Sequence, residues 1–320
     1  MLKVAILSSW HVHAQEYAEQ LQSRPDVQLT AVWDEEPEKG RKFAAEFGLE
    51  FEADLNRLLA REDVDAVCVN APTSMHRDVM VKAAKAGKHI FTEKVLALTA
   101  RECAEIRAAV EENGVKFCIS FPHRTFPHNL LAKKILDEQL LGQVTYARVR
   151  NAHDGASRGW LPPHFYDEAQ CGGGAMIDLG AHPMYLLAWL MGKPTEISSA
   201  FTYVTERAVE DNAVCVMKYE NGAIAVSETG FVSSNSPFTL ELHGTAGSFT
   251  VIGNKISLIT SKSGEVTLDL PEALPDPVTQ FVEGVLYGKE ILFGLDDATT
   301  LTEIMEAAYK AHKQGGFVKV

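Results

Sequence analysis

Along the first third of the chain, short apolar runs alternate with segments whose apolar positions recur every three or four residues. The runs Val4 to Leu7, Val27 to Trp33, Asp65 to Asn70, Gly87 to Thr92 and Val115 to Ile119 predict strands. The segments Ala14 to Ser23, Pro37 to Phe47, Leu55 to Ala60, His76 to Ala86 and Ala100 to Glu112 predict helices, with Gly48 stopping one and Thr99 capping another. Alternation of this kind implies a parallel, doubly wound sheet with right-handed crossovers, closing near residue 120.

Beyond that point the rhythm changes. Leu130 to Glu138 predicts a helix and Gln143 to Asn151 a strand, and a loop rich in Gly, Pro and aromatics follows to Gln170. After three glycines at 172 to 174 a helix runs to Met191, ended by Gly192 and Pro194. Ile197 to Val204, Asn212 to Tyr219, Ala223 to Phe231, Phe238 to His243, Gly247 to Ile252, Lys255 to Thr260 and Glu265 to Leu270 read as successive strands, with hairpin turns at Asn221-Gly222 and Ser263-Gly264. Helices over Val278 to Tyr287 and Asp297 to His312 close the pattern. The expected fold class is α/β: a Rossmann domain over residues 1–120, then an α/β domain over 121–320 with a large, open, mostly antiparallel sheet. The last helix is placed to pack back on the first domain.

The chain of 320 residues is long enough for two cores, and 46% of it is apolar. No apolar run reaches the length of a membrane span, and the chain enters its first strand directly, so a cytoplasmic protein is expected. Five scattered cysteines without a Cys-x-x-Cys pair point to reduced thiols rather than disulfides or a zinc cluster. A net charge of −13 opposes attraction to nucleic acid or anionic membrane, which leaves a small molecule as the expected partner.

Glu93-Lys94-Val95 directly follows an apolar strand, at the edge of a sheet where such folds bind ligands. Together with Gly87-Lys88-His89 before it, and with Gly172-Gly173-Gly174, Asp178, Gly180 and His182 further on, it resembles the signature of the Gfo/Idh/MocA oxidoreductases, which include inositol and glucose-fructose dehydrogenases. The resemblance implies NAD(P)-dependent hydride exchange with a secondary hydroxyl or ketone of a sugar, inositol or related polyol. It further implies His182 as acid/base, Lys94 as proton relay, Asp178 as support or substrate contact, and a homodimer or homotetramer. Val95 stands where the family has Pro, so the peptide before it can be trans where the family's is often cis.

Hydride transfer needs a group that exchanges the hydroxyl proton and a setting that stabilises the developing alkoxide, and His182 and Lys94 suit those needs. Asp178 and His182 are four apart, so a helix would place the carboxylate on the imidazole's face. The three glycines would let backbone approach a ligand closely. Arg124, Trp160 and His164 are substrate candidates, with Trp160 either stacking on a sugar ring or forming a hydrophobic lid.

The first turn breaks the pattern. A dinucleotide loop needs Gly-x-Gly-x-x-Gly for its tight turn and for close approach to pyrophosphate, whereas this chain reads Ser8-Ser9-Trp10-His11-Val12-His13. Ser8, Ser9, Trp10 and His11 are nevertheless the expected phosphate contacts. Asp34, ending the second strand, is placed to accept from ribose hydroxyls and so favours NAD over NADP, or else caps the next helix. Ala71, Pro72, Thr73 and His76 resemble the family's segment near the nicotinamide ribose, and Glu93 tethers the strand end. Two further readings stand beside this one: a non-catalytic regulator on the same fold, and a metal-dependent barrel hydrolase using His11 and His13. The run of strands in the last third opposes a barrel, and no metal is expected.

Overall fold

A computed structural model describes all 320 residues. Two compact units result, Met1–Ser120 with Pro275–Thr299, and Phe121–Leu274 with Thr300–Val320. The chain passes between these units after Ser120, after Leu274 and after Thr299.

The first unit begins with β1 (Leu2–Leu7), α1 (Ala14–Gln22), β2 (Val27–Trp33), α2 (Pro37–Phe47), β3 (Glu50–Phe51), α3 (Leu55–Leu59), β4 (Ala66–Val69), α4 (His76–Lys85), β5 (His89–Thr92), α5 (Ala100–Glu112) and β6 (Phe117–Ile119). Its strands form one parallel sheet in the order β3-β2-β1-β4-β5-β6. Val4, Ile6, Ala66, Val67, Cys68 and Ile90 have no exposed surface, which is why these strands read as unbroken apolar runs. The helix ends follow local chemistry. Thr99 and Glu102 form a reciprocal capping box at the start of α5, and Gly48 ends α2 in the left-handed region at φ 67°. The order reverses between β1 and β4, so the carboxyl ends of β1, β4 and β5 flank the crevice that receives ligands in open α/β sheets.

The second unit continues with α6 (Pro127–Asp137), β7 (Val144–Ala152), the one-turn α7 (Glu168–Cys171), α8 (Ala181–Met191), β8 (Glu196–Thr202), β9 (Asn212–Lys218), β10 (Ile224–Gly230), β11 (Thr239–Gly244), β12 (Gly247–Ile252), β13 (Lys255–Thr260) and β14 (Gly264–Val266). Then come α9 (Pro277–Tyr287) in the first unit, α10 (Leu295–Gln314), and β15 (Val318–Lys319). The sheet has nine strands in the order β14-β13-β12-β11-β7-β10-β9-β8-β15. All of its pairings are antiparallel except β7 with β10, which run parallel at its centre. Ala147, Val149, Ala225, Leu240 and Leu242 turn inward, and α8 covers β7 and β10. The other face carries a cross-strand ion-pair network in which Arg148 binds Glu228 and Glu241 at 2.8 and 2.9 Å and Arg150 binds Glu228 at 3.3 Å. Two sheets of this kind are not an eight-stranded barrel, so the barrel hydrolase reading falls. No helix is long and apolar enough to cross a membrane.

Candidate functional site

The loop after β1 is closed upon itself. Ser8 takes φ 75°, the left-handed conformation for which the dinucleotide pattern uses its first glycine. The Ser9 N–H and hydroxyl both donate to Asp34 Oδ2, at 2.9 and 2.6 Å, and the Trp10 N–H donates to Ser8 Oγ at 3.1 Å. His11 N–H donates to the Asn70 carbonyl, Ala14 N–H to the His11 carbonyl, and His13 N–H to His11 Nδ1. The Trp10 side chain is buried. Asp34 is 2% exposed, and its second oxygen accepts from the Glu36 N–H at 2.8 Å. Asp34 therefore fastens its own loop and the start of α2 together. Burial raises the pKa of the neighbouring Glu35.

At the end of β4, Ala71 and Pro72 are buried and Thr73 opens a short 3₁₀ turn. His76, 1% exposed, has Nε2 3.0 Å from the Ala71 carbonyl and Nδ1 2.9 Å from the Val95 carbonyl. Burial pushes its pKa down against the opposing pull of these carbonyls, and a neutral ring has one N–H to donate to one of the two. The Lys94–Val95 peptide is cis, where the sequence left a trans bond open.

Glu93 is buried and takes contacts from both α1 and the loop after β1. Its Oε1 lies 2.9 Å from His13 Nδ1 and 3.8 Å from His11 Nδ1, and it accepts from the Tyr17 hydroxyl, which also lies 2.8 Å from Ser120 Oγ. The Lys94 N–H donates to Oε2 at 2.9 Å. Burial acts to raise the carboxyl pKa; the charges of His11, His13 and Lys94 outweigh it and hold Glu93 well below the usual range. His13 feels the converse: burial lowers it, but the Glu93 hydrogen bond and charge bring it above its ordinary value. Tyr17, buried beside that carboxylate, is pushed well up. Lys94 itself is 6% exposed.

In the second unit Gly173 and Gly174 make room for the protein's own atoms. A Cβ on Gly173 would lie 2.0 Å from the Tyr309 hydroxyl, and one on Gly174 would lie 2.1 Å from the Glu210 carbonyl oxygen. The Glu210 carboxylate accepts from the N–H groups of Gly174 and Met176 and from Tyr309, at 3.0, 2.9 and 2.6 Å. Burial raises its pKa. The close approach expected for a ligand is thus occupied by β9's entry segment and α10. Glu210 and Tyr309 gave no sequence signal, since they lie 36 and 135 residues or more from the glycines they hold.

His182 lies in the first turn of α8, which begins only at Ala181, so Asp178 belongs to the turns before the helix. The shared helix face expected for these two residues is therefore replaced by another arrangement. His182 Nδ1 pairs with the Tyr185 hydroxyl at 2.9 Å, and the ring stacks on His123 at 4.3 Å. The Tyr185 hydroxyl also accepts the His123 N–H at 3.0 Å. Half-exposed Asp178 acts on His153, whose pKa burial lowers and the carboxylate raises, with burial prevailing. His123, Tyr185 and His153 are site neighbours that periodicity could not reveal.

Each substrate candidate has partners of its own. Arg124 lies over the Trp189 ring at 5.0 Å, on α8. Trp160 is 54% exposed, with Nε1 bonded to Asp154 at 3.0 Å and its ring 4.6 Å from His153. His164 sits in a separate 3₁₀ turn, where its carbonyl accepts from Cys171.

A dinucleotide fits these residues in part. The strand order, the left-handed Ser8 and the buried Glu93-Lys94 at the end of β5 suit the nicotinamide end. The amides of Ser9, Trp10, His11 and His13 are turned into the protein, so a pyrophosphate held here displaces internal hydrogen bonds or takes its contacts elsewhere.

Comparison with known proteins agrees with this architecture. Residues 3–121 match the family model described as an oxidoreductase family with NAD-binding Rossmann fold, and residues 129–250 match the GFO/IDH/MocA C-terminal domain. The NAD(+)-dependent scyllo-inositol 2-dehydrogenase of Bacillus subtilis (strain 168) is 29% identical over 92% of this chain and 89% of its own length. Levoglucosan dehydrogenase of Pseudarthrobacter phenanthrenivorans is 26% identical over 66% of this chain, an alignment that spans only 62% of that enzyme. Among solved structures, GenD2 from gentamicin A biosynthesis in complex with NAD aligns with a TM-score of 0.84 at 26% identity, covering 100% of this chain and 96% of that one. Levoglucosan dehydrogenase with NADH and levoglucosan shares the fold, with a TM-score of 0.85 at 20% identity over 100% of this chain and 99% of that one. On the two family models, the sheet order and the Glu93-Lys94 and Gly172 to His182 motifs, this chain belongs to the Gfo/Idh/MocA oxidoreductase family, with its NAD-binding Rossmann fold.

Proposed function

We propose that the chain moves a hydride between NAD and the carbinol carbon of a secondary hydroxyl on a sugar, inositol or related polyol. The observation that carries this reading is Lys94, an amine with 6% exposure, set beside buried Glu93 at the end of β5 in a family whose relatives are named dehydrogenases and reductases. A bound nicotinamide supplies the hydride acceptor or donor. His182 exchanges the hydroxyl proton, Lys94 orients the hydroxyl and stabilises the developing alkoxide, and Asp178 supports the substrate. The Tyr185 hydroxyl at His182 Nδ1 sets the ring's rotation and tautomer.

The dinucleotide is held by the Ser8 to His11 loop, Asp34, Ala71 to Thr73 and Glu93. Asp34, Glu35 and Glu36 at the end of β2 oppose a 2′-phosphate and so favour NAD over NADP. Arg124, Trp160 and His164 contact the polyol. The open face of the nine-stranded sheet serves a homodimer or homotetramer, and the enzyme works in the cytoplasm.

Titration of the purified protein with NADH and NADPH, followed by turnover with a panel of polyols, tests this reading. NADH is expected to bind and NADPH to bind more weakly. Lys94→Ala and His182→Ala should each lower kcat by about 10²–10⁴-fold while leaving NADH binding largely intact. Unchanged turnover in either variant removes that residue from the chemistry. Binding of neither dinucleotide favours the regulator reading, which the inward-turned loop amides independently support.

A further inference from the structure

The replaced glycine loop brings together three groups, of which His11 and Glu93 also border the proposed dinucleotide site and His13 has no part in it. His11 and His13 lie two positions apart after β1, and Glu93, 80 residues beyond His13, enters from the end of β5. Their ligand atoms all lie within 4.8 Å of one another, and the two imidazole rings are 4.8 Å apart between centroids. From this cluster we infer a binding site for one divalent first-row transition cation per chain, with His11, His13 and Glu93 as its ligands.

The donor set is the first reason. Two imidazoles and a carboxylate suit zinc, manganese or iron, and three protein ligands leave open positions for water or a ligand oxygen. Geometry is the second. Bonds of about 2.0–2.2 Å place neighbouring ligand atoms about 3 Å apart. His13 Nδ1 and Glu93 Oε1 are 2.9 Å apart, and the 3.8 Å from His11 Nδ1 closes with a small ring rotation. His11 Nδ1 accepts the His13 N–H at a long 3.3 Å, and a cation bound at that nitrogen would take its lone pair from this weak bond.

The support of the carboxylate is the third reason. Glu93 Oε2 accepts the Lys94 N–H, and Oε1 is approached by the Tyr17 hydroxyl, itself bonded to Ser120. Outer contacts of this kind orient metal ligands. The site lies where the fold ordinarily offers free amides to an anion. With those amides turned inward, a cation would restore positive charge to the carboxyl ends of β1 and β5.

The test is calorimetric titration of chelator-treated, dialysed full-length protein with zinc chloride and, separately, manganese chloride, beside elemental analysis of the protein as purified. One cation per chain with a Kd below about 1 μM for at least one metal is expected. His13→Ala and His13→Gln should weaken binding about 100-fold or more, because each removes a ligand atom. His13 is two-fifths exposed, so these variants keep the fold, which circular dichroism verifies; buried His11→Ala is the second ligand variant. Absence of stoichiometric binding of both metals, or equal affinity in wild type and His13→Ala, overturns the inference. The readout does not depend on dinucleotide binding, so this site and the proposed oxidoreductase function fail separately.

Discussion

Two loops of this chain stand where a glycine-rich segment is expected, and they fill their space in opposite ways. The Gly172 to Gly174 loop keeps Gly173 and Gly174 because the protein's own atoms press against it: Tyr309 and Glu210 lie where their Cβ atoms would be. The Ser8 to His13 loop has none, and side chains occupy the room that glycines leave for a ligand. Trp10 is buried, Ser8 and Ser9 satisfy neighbouring backbone and Asp34, and the histidines turn to Glu93. A glycine in a motif thus records a demand for space, and only packing says whether a ligand or the protein takes that space.

The comparison can be broken first at Trp10. If the indole is core rather than a lid over an open cradle, Trp10→Gly should cost about 3–5 kcal/mol in denaturant unfolding. A loss below about 1 kcal/mol would show that the loop does not depend on it. In the other loop the opposite change does the damage. Gly174→Ala should destabilise by about 3 kcal/mol, because its Cβ meets a backbone carbonyl that cannot rotate aside.

Glu210 sharpens the same contrast through pH. Its folded pKa is raised above the ordinary 4.5, so the native state holds a proton that the unfolded chain has released. Its contribution is fully present below the unfolded value and is lost as pH rises through the folded one. The difference in midpoint denaturant concentration between wild type and Glu210→Gln should therefore shift in favour of the variant as pH rises across that window. A flat difference would rule out burial as the force on this carboxyl. Glu210→Ala, which strands buried N–H groups of Gly174 and Met176, should cost about 2 kcal/mol at acid pH and less as pH rises through the folded pKa. The smallest effect belongs to Ser8→Gly. Relief of the left-handed backbone is offset by loss of the bond to the Trp10 N–H, leaving a change within about 1 kcal/mol.

Much of this molecule was written locally. The apolar runs of β1 and β4 mark strands buried on both faces, and Pro37, Gly48, Thr99 and Glu102 set helix ends through contacts a few residues long. The glycine-to-histidine block and Glu93-Lys94 are also sequence features, and they marked the family. Beyond them, register and distant packing decided. Strand alternation cannot disclose that β7 and β10 run parallel, since both directions share a period of two. Nor can a spacing of four show that α8 starts at Ala181 and gives His182 to Tyr185 and His123 rather than to a helix neighbour at Asp178.

What the sequence by itself determined is the order of elements, their caps and the residue types available for proton transfer, because each follows from hydrogen bonds and periodicity within a few turns. Only the tertiary structure decided which groups meet: Glu93 with His11, His13 and Tyr17, Asp34 with Ser9, and Gly173 with Tyr309. Those meetings join residues 25 to more than 100 positions apart. Their distances are set by sheet order and side-chain packing, which no local pattern encodes.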